Sequence, residues 1–345
     1  MKIDTLIAAT DFAGARDFAC WAEEIGYDGL WTAETAHEPF MPLAIASTVT
    51  QRVTLGTAIA VAFPRNPTIL AHTAWDLQAN SNGRFLLGLG TQVKGHNERR
   101  YGVPYVAPVK KLREMILAMR AVWDCWQNST PLRFEGEFFR LTLMTPFFSP
   151  AKIAHPKIPI YVAGVNRLIA EMVGEVCDGF HVHPLNSPKF LRESLIPSIE
   201  TGARRTGRSR QDVELTTQAL TATGNSSKAI AEQREEIRRQ IGFYASTRTY
   251  APVLEAHGWG DLSGRLNAKA AAGDWAGMAR EVTDEMLDEF CISGPPDELG
   301  KKLRTRYDGL LDRVSLYFPL RPGENDAGLR RLIEDIHSEA THKSA

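Results

Sequence analysis

The 345-residue sequence predicts an α/β chain folded as a (β/α)8 TIM barrel, with a β-hairpin insertion before strand five and a helical insertion between strands seven and eight. Two observations lead there. Short apolar runs bounded by turn residues recur along the chain, and between them lie stretches whose apolar residues repeat at helical spacing, the mark of parallel βαβ units. Eight such strand-like runs are available, and the length accommodates one barrel of about 250 residues plus insertions.

In chain order, the first strand is read over residues 3–9 and its helix over 13–25, closed by Gly26, which suits a left-handed cap. The second strand is 29–33. A helix near 42–50 leads to the third strand, 54–62, and a helix over 67–79 stops at Asn80-Ser81-Asn82-Gly83. The fourth strand, 85–90, precedes a long helix that starts at Pro108 and carries Leu112, Met115, Met119, Val122, Trp123 and Trp126 as one core-facing stripe. Strand five, 158–163, is followed by a helix over 167–176, and strand six, 179–183, by a helix from 188 to about 206. Strand seven is 213–221 and strand eight 313–318, with a final helix near 327–339 and a frayed end at 341–345. Two stretches exceed the plain repeat. Residues 132–141, centred on Glu135-Gly136, read as a hairpin inside an insertion near 128–157, and a mostly helical excess near 240–289 lengthens the last crossover. No internal repeat or Pro/Gly/Ser-rich linker divides the chain, so one domain over 1–345 is expected.

With 40 basic against 41 acidic residues, no field of one sign covers the surface, so nucleic acid and anionic membrane are poor partners. No apolar run approaches the roughly 18 residues of a membrane span. Met1-Lys2-Ile3-Asp4 leads into strand-like sequence rather than a signal peptide, which makes the cytoplasm the expected location. Cys20, Cys125, Cys177 and Cys291 lack C-x-x-C spacing and read as reduced packing residues.

In a barrel, functional residues sit just after the strands. That points to Glu34-Thr35-Ala36-His37, Thr57-Ala58-Ile59, Thr91-Gln92, Ala163-Gly164-Val165-Asn166 and His181-Val182-His183. The set holds little acid–base or nucleophilic machinery, and no lysine beyond Lys94 lies near a strand end, so a cofactor carrying its own chemistry fits better than a Schiff base. The small residues of Ala163-Gly164-Val165-Asn166 expose backbone N–H groups that a phosphate can occupy at a helix N-terminus; a tight connection needing Gly for geometry is the alternative. Gly88-Leu89-Gly90-Thr91 lacks the third glycine and following helix of a dinucleotide fingerprint. His181 and His183 face one side of a strand, so they are a zinc-binding pair, as in a metal-dependent hydrolase, or else satisfied or substrate-facing rings. Glu34 reads as a general base, a ligand anchor or a carboxylate paired within the barrel rim. Arg65 and Arg84 read as surface or capping residues, Arg84 as structural.

Several phrases together resemble the luciferase-like family of flavin- and deazaflavin-dependent oxidoreductases, in family order. They are Ala22-Glu23-Glu24-Ile25-Gly26-Tyr27-Asp28-Gly29-Leu30-Trp31, Leu55-Gly56-Thr57-Ala58-Ile59, Arg65-Asn66-Pro67, Asn82-Gly83-Arg84-Phe85-Leu86-Leu87-Gly88-Leu89-Gly90, Pro159-Ile160-Tyr161-Val162-Ala163-Gly164 and Asp178-Gly179-Phe180. The resemblance implies a coenzyme F420-dependent enzyme that transfers a hydride to or from a small organic substrate. Its alternative is an FMN-dependent monooxygenase served by a partner reductase, and a barrel that binds flavin without turnover is a further one. It also implies a homodimer. By position, it places a non-prolyl cis peptide at Ala58-Ile59, with Thr57 beside it. It places cofactor contacts at Thr57, Ala58, Ile59, Thr91, Gln92, Ala163, Gly164, Val165, Asn166 and His183. Many members carry an acidic residue followed by histidine at the end of strand two; here Glu34 is followed by Thr35, and His37 comes two positions later. Glu34 and His37 are therefore the catalytic candidates.

Overall fold

The computed structural model describes residues 1–9 and 11–338. Eight parallel strands form the barrel: β1 (Lys2–Leu6), β2 (Gly29–Thr32), β3 (Thr54–Thr57), β4 (Phe85–Gly90), β5 (Ile160–Gly164), β6 (Gly179–Val182), β7 (Glu214–Ala219) and β8 (Arg313–Leu316). Each pairs with the next, and β1 joins β8 with Lys2 opposite Arg313, which closes the sheet and leaves it no edge. The helices pack outside. Their ends obey the local chemistry: Asp11 caps helix Phe12–Ile25 by accepting from the Gly14 N–H, and the helix stops at Gly26, whose φ of 112° favours glycine. Helix Pro108–Asn128 begins with proline in its first turn and buries every residue of the expected stripe. Each large side chain of that stripe contributes roughly 1.5–3 kcal/mol of burial.

The barrel interior holds the buried Arg313, paired with Asp4 and 3.7 Å from Glu214. Arg313 donates to both Asp4 oxygens, Nε to Oδ2 at 2.8 Å and Nη2 to Oδ1 at 2.6 Å, while its guanidinium lies 5.3 Å from the centre of the Trp31 ring. Gly29 makes room for this pair, because a Cβ there would lie 2.6 Å from Arg313 Nη2 and Asp4 Oδ1. Trp31, Leu86 and Tyr161 form the next layer, packed on Leu6 and Ala58.

The structure departs from the sequence reading in four places. The third strand is not continuous over 54–62: it breaks after Thr57 at a cis Ala58-Ile59 peptide, at the position the resemblance implied, and resumes as Ala60–Val61. The seventh strand leaves the barrel at Ala219; Thr221–Thr223 pairs instead with Ile292–Gly294, a strand the apolar pattern did not separate from the helices around it. The helical stretch between β7 and β8 begins at Ser227 rather than near 240, with helix Ser227–Ala245 as its first member. Of the four cysteines, Cys20 is exposed while the other three are buried. The hairpin is present as Phe134–Glu135 against Arg140–Leu141. The expected fraying at 341–345 lies outside the described residues, among which no helix is long and apolar enough to cross a membrane.

Candidate active site

A cavity of about 450 Å³ opens at the carboxyl ends of the strands, a size common for small-ligand sites. Four strand exits build its walls. Ala58 and Ile59 come from the break after β3; Gly90, Thr91 and Gln92 from the end of β4; Ala163, Gly164, Val165 and Asn166 from the end of β5; His181 and His183 from β6 and its exit. Nine of the predicted cofactor positions therefore meet in one cavity, although they span more than 120 residues of sequence. At Gly90 a Cβ would lie 2.7 Å from Ile59 Cδ1, so glycine lets this wall close up behind the cavity.

The Ala163–Asn166 turn ends in a capped helix. Asn166 is the N-cap of Arg167–Val176, its Oδ1 accepting from the Ile169 N–H at 3.0 Å. The first-turn N–H groups and the positive end of the helix dipole thus face a cavity-lining turn, an arrangement that suits an anionic group. Gln92 adopts a φ of 54° and accepts the Val93 N–H at 2.9 Å, while the buried Asn97 amide donates to the Thr91 carbonyl at 2.8 Å, fixing the loop after β4.

The two histidines have different settings. His181 sits low in the barrel, edge-on to Trp31 at 5.4 Å and tilted against Tyr161 at 5.4 Å. His183 lies between Tyr244, 4.5 Å away at 85°, and Tyr250, 4.3 Å away at 38°. Burial pushes both imidazoles down to about 3, so both are neutral at pH 7. His183 Nδ1 accepts from the Leu185 N–H at 3.1 Å, which assigns its proton to Nε2. Among the described residues no three His, Cys, Asp or Glu side chains come together to hold a metal, and each histidine is taken up in aromatic packing. The zinc-hydrolase alternative therefore lacks a ligand set.

Three predicted residues stand elsewhere. Thr57 is fully buried and does not line the cavity: its Oγ1 donates to the Gly88 carbonyl at 2.6 Å and accepts the Gly88 N–H at 2.9 Å, tying β3 to β4. Glu34 also lies off the cavity. Its carboxylate, 9% exposed, accepts from Arg65 Nη1 at 2.6 Å, the Val61 N–H at 2.7 Å and the Tyr101 hydroxyl at 2.9 Å. It is paired within the barrel rim, and Arg65 is its partner rather than a surface residue. His37 is exposed and is not part of the lining. Arg84 is structural as expected, donating to the Ser81, Val53 and Thr50 carbonyls and to the Thr50 hydroxyl.

The sequence reading missed an entire wall. Tyr244, Thr247, Thr249 and Tyr250 reach the cavity from the helical stretch between β7 and β8, and Tyr105 from the segment before helix Pro108–Asn128. The aromatic cluster at 243–250 was visible in the sequence, but nothing local says that this crossover folds back over the strand ends.

The sequence pattern of the luciferase-like monooxygenase family matches residues 3–313. The chain belongs to this family. Within it, a protein of Mycobacterium tuberculosis of uncharacterised function is 43% identical over 314 residues, 91% of this chain and 92% of its own. The F420-dependent glucose-6-phosphate dehydrogenase of Intrasporangium calvum is 30% identical over 325 residues, 88% of each chain. The coenzyme F420-dependent tetrahydromethanopterin reductase of Methanopyrus kandleri has the same fold, with a TM-score of 0.75 at 20% identity over 97% of both chains. As a member of the luciferase-like family, the chain is an enzyme of the oxidoreductase class.

Proposed function

We propose that this luciferase-like enzyme binds coenzyme F420 in the cavity above the barrel and transfers a hydride between it and a small organic molecule. One observation carries the reading: a single uncharged cavity unites the β3 break, the β4 exit and the capped Ala163–Asn166 turn. These residues fit the cofactor. Ala58, Ile59 and Gly90 offer flat apolar surface for a tricyclic ring; Thr91 and Gln92 offer polar edges; Val165, Asn166 and the helix start offer N–H groups to a phosphate. When bound, the deazaflavin supplies two-electron hydride chemistry, the accompanying proton moving separately to or from a substrate heteroatom.

The chain's own residues bind, orient and exclude water. His183, neutral and donating from Nε2, acts as a hydrogen-bond donor at the cavity and not as a cation. Glu34 and His37 take no part in proton transfer in this reading, because the one is held off the cavity by three donors and the other is not part of the lining. The 30% identity to the F420-dependent dehydrogenase of Intrasporangium calvum supports the deazaflavin.

Fluorescence titration of the purified protein with F420 and with FMN, each oxidised and reduced, tests the proposal. Tighter binding of F420 is the expected result. Preference for FMN would overturn it in favour of a two-component monooxygenase with a partner reductase, and binding of neither would remove both. The protein is further expected to be a cytoplasmic homodimer, and light scattering decides its oligomeric state.

A further inference from the structure

The wall formed by Tyr244 and Tyr250 bears on what the second reactant is. No aspartate, glutamate, lysine or arginine is among the residues lining the cavity. The wall instead presents aromatic surface, with the His183 ring inclined at 38° to Tyr250 and 4.3 Å from it, centre to centre. Tyr244 lines the cavity, and its hydroxyl is 2.6 Å from that of Tyr317, which stands behind the lining. In such a pair one oxygen donates to the other, and the acceptor keeps its own proton to offer elsewhere. Tyr244 can therefore meet a carbonyl by donating, when Tyr317 donates to it, or a hydroxyl by donating or accepting. A phosphate or carboxylate at the same place would lose its hydration with no cation to replace it.

We propose that the second reactant is an uncharged compound with a cyclic apolar body and one hydroxyl or carbonyl oxygen, the body packed against His183 and Tyr250 and the oxygen on the Tyr244 hydroxyl. This assignment rests on the hydride-transfer reading above. It separates the chain from a sugar-phosphate enzyme such as the dehydrogenase of Intrasporangium calvum, whose named substrate is an anion.

The test is a binding measurement on the full chain. F420 loading is first read by its fluorescence. Cyclohexanol, cyclohexanone, cyclohexyl phosphate and glucose 6-phosphate are then presented to the loaded and to the bare protein, with binding read by saturation-transfer NMR. Both neutral probes are expected to bind, and both phosphates at least about tenfold more weakly. Thr249→Lys places a cation at the exposed rim of the cavity and is expected to narrow that gap by a similar factor. Equal or tighter binding of either phosphate, no binding of the neutral probes at millimolar concentration, or an unchanged gap in T249K overturns the assignment. Neutral preference without F420 binding defeats the cofactor reading alone, and F420 binding with phosphate preference defeats the substrate class alone.

Discussion

Replacing Glu34 by glutamine distinguishes a carboxylate that holds the barrel rim from one that moves protons. The native carboxylate accepts from Arg65, Val61 and Tyr101 at 2.6, 2.7 and 2.9 Å. Glutamine keeps one acceptor oxygen and turns an NH2 toward one of these donors, so at least one bond is broken and Arg65 keeps only the more distant Glu38, 3.5 Å from its Nη2, as a counter-charge. Hydrogen bonds to charged groups contribute about 1.5–3 kcal/mol each. The Arg65 side chain is 19% exposed, so water recovers part of the loss. The expected destabilisation of E34Q is about 2–3 kcal/mol. Urea unfolding followed by circular dichroism should show it as a lower midpoint with an unchanged slope. Tyr101→Phe, which removes one of the three donors, should cost about 1 kcal/mol in the same assay. A change below about 0.5 kcal/mol in E34Q refutes the anchoring argument. If stability holds while turnover falls by about a hundredfold or more, Glu34 is the general base after all.

Three further outcomes follow from the same geometry. Thr57→Val leaves the Gly88 N–H and carbonyl without their buried hydroxyl partner, and should lower unfolding free energy by about 1–3 kcal/mol while F420 affinity stays within about twofold; a large loss of affinity would return Thr57 to the binding site. Asn166→Ala removes the N-cap of Arg167–Val176, costing about 1 kcal/mol of stability, and should weaken F420 binding by roughly tenfold; unchanged affinity would move the anionic group away from this turn. His183 has its folded-state value depressed to about 3 from an ordinary 6.5, so the unfolded chain takes up its proton first. Its contribution is full above pH 6.5 and is lost as pH falls toward 3, at up to about 1.4 kcal/mol per pH unit. In His183→Phe the stability-against-pH curve should be flatter by about that slope, and an identical slope in both proteins would contradict the burial argument.

The barrel was legible in the sequence because its signals are local. Each strand of a parallel barrel is buried on both faces and reads as a short apolar run, and each helix shows its stripe and its caps, as at Asp11, Gly26, Asn66 and Asn166. The strand exits are equally local, and Ala58, Ile59, Thr91, Gln92, Ala163 to Asn166 and His183, which the sequence marks there, all line the cavity. Direction was not legible. Thr57 and Ala58 are neighbours, yet the chain turns between them, so one side chain latches two strands and the other faces the cavity. The pairing of Glu34 was not legible either, because its partners, Arg65 and Tyr101, are 31 and 67 residues away. The Tyr244–Tyr250 wall was hidden for the same reason. Sequence alone determined which elements form and in what order they surround the barrel, since those choices are made within one turn or one strand. Only the tertiary structure decided which polar groups satisfy one another and which remain for a ligand, because that depends on distances between residues far apart in the chain.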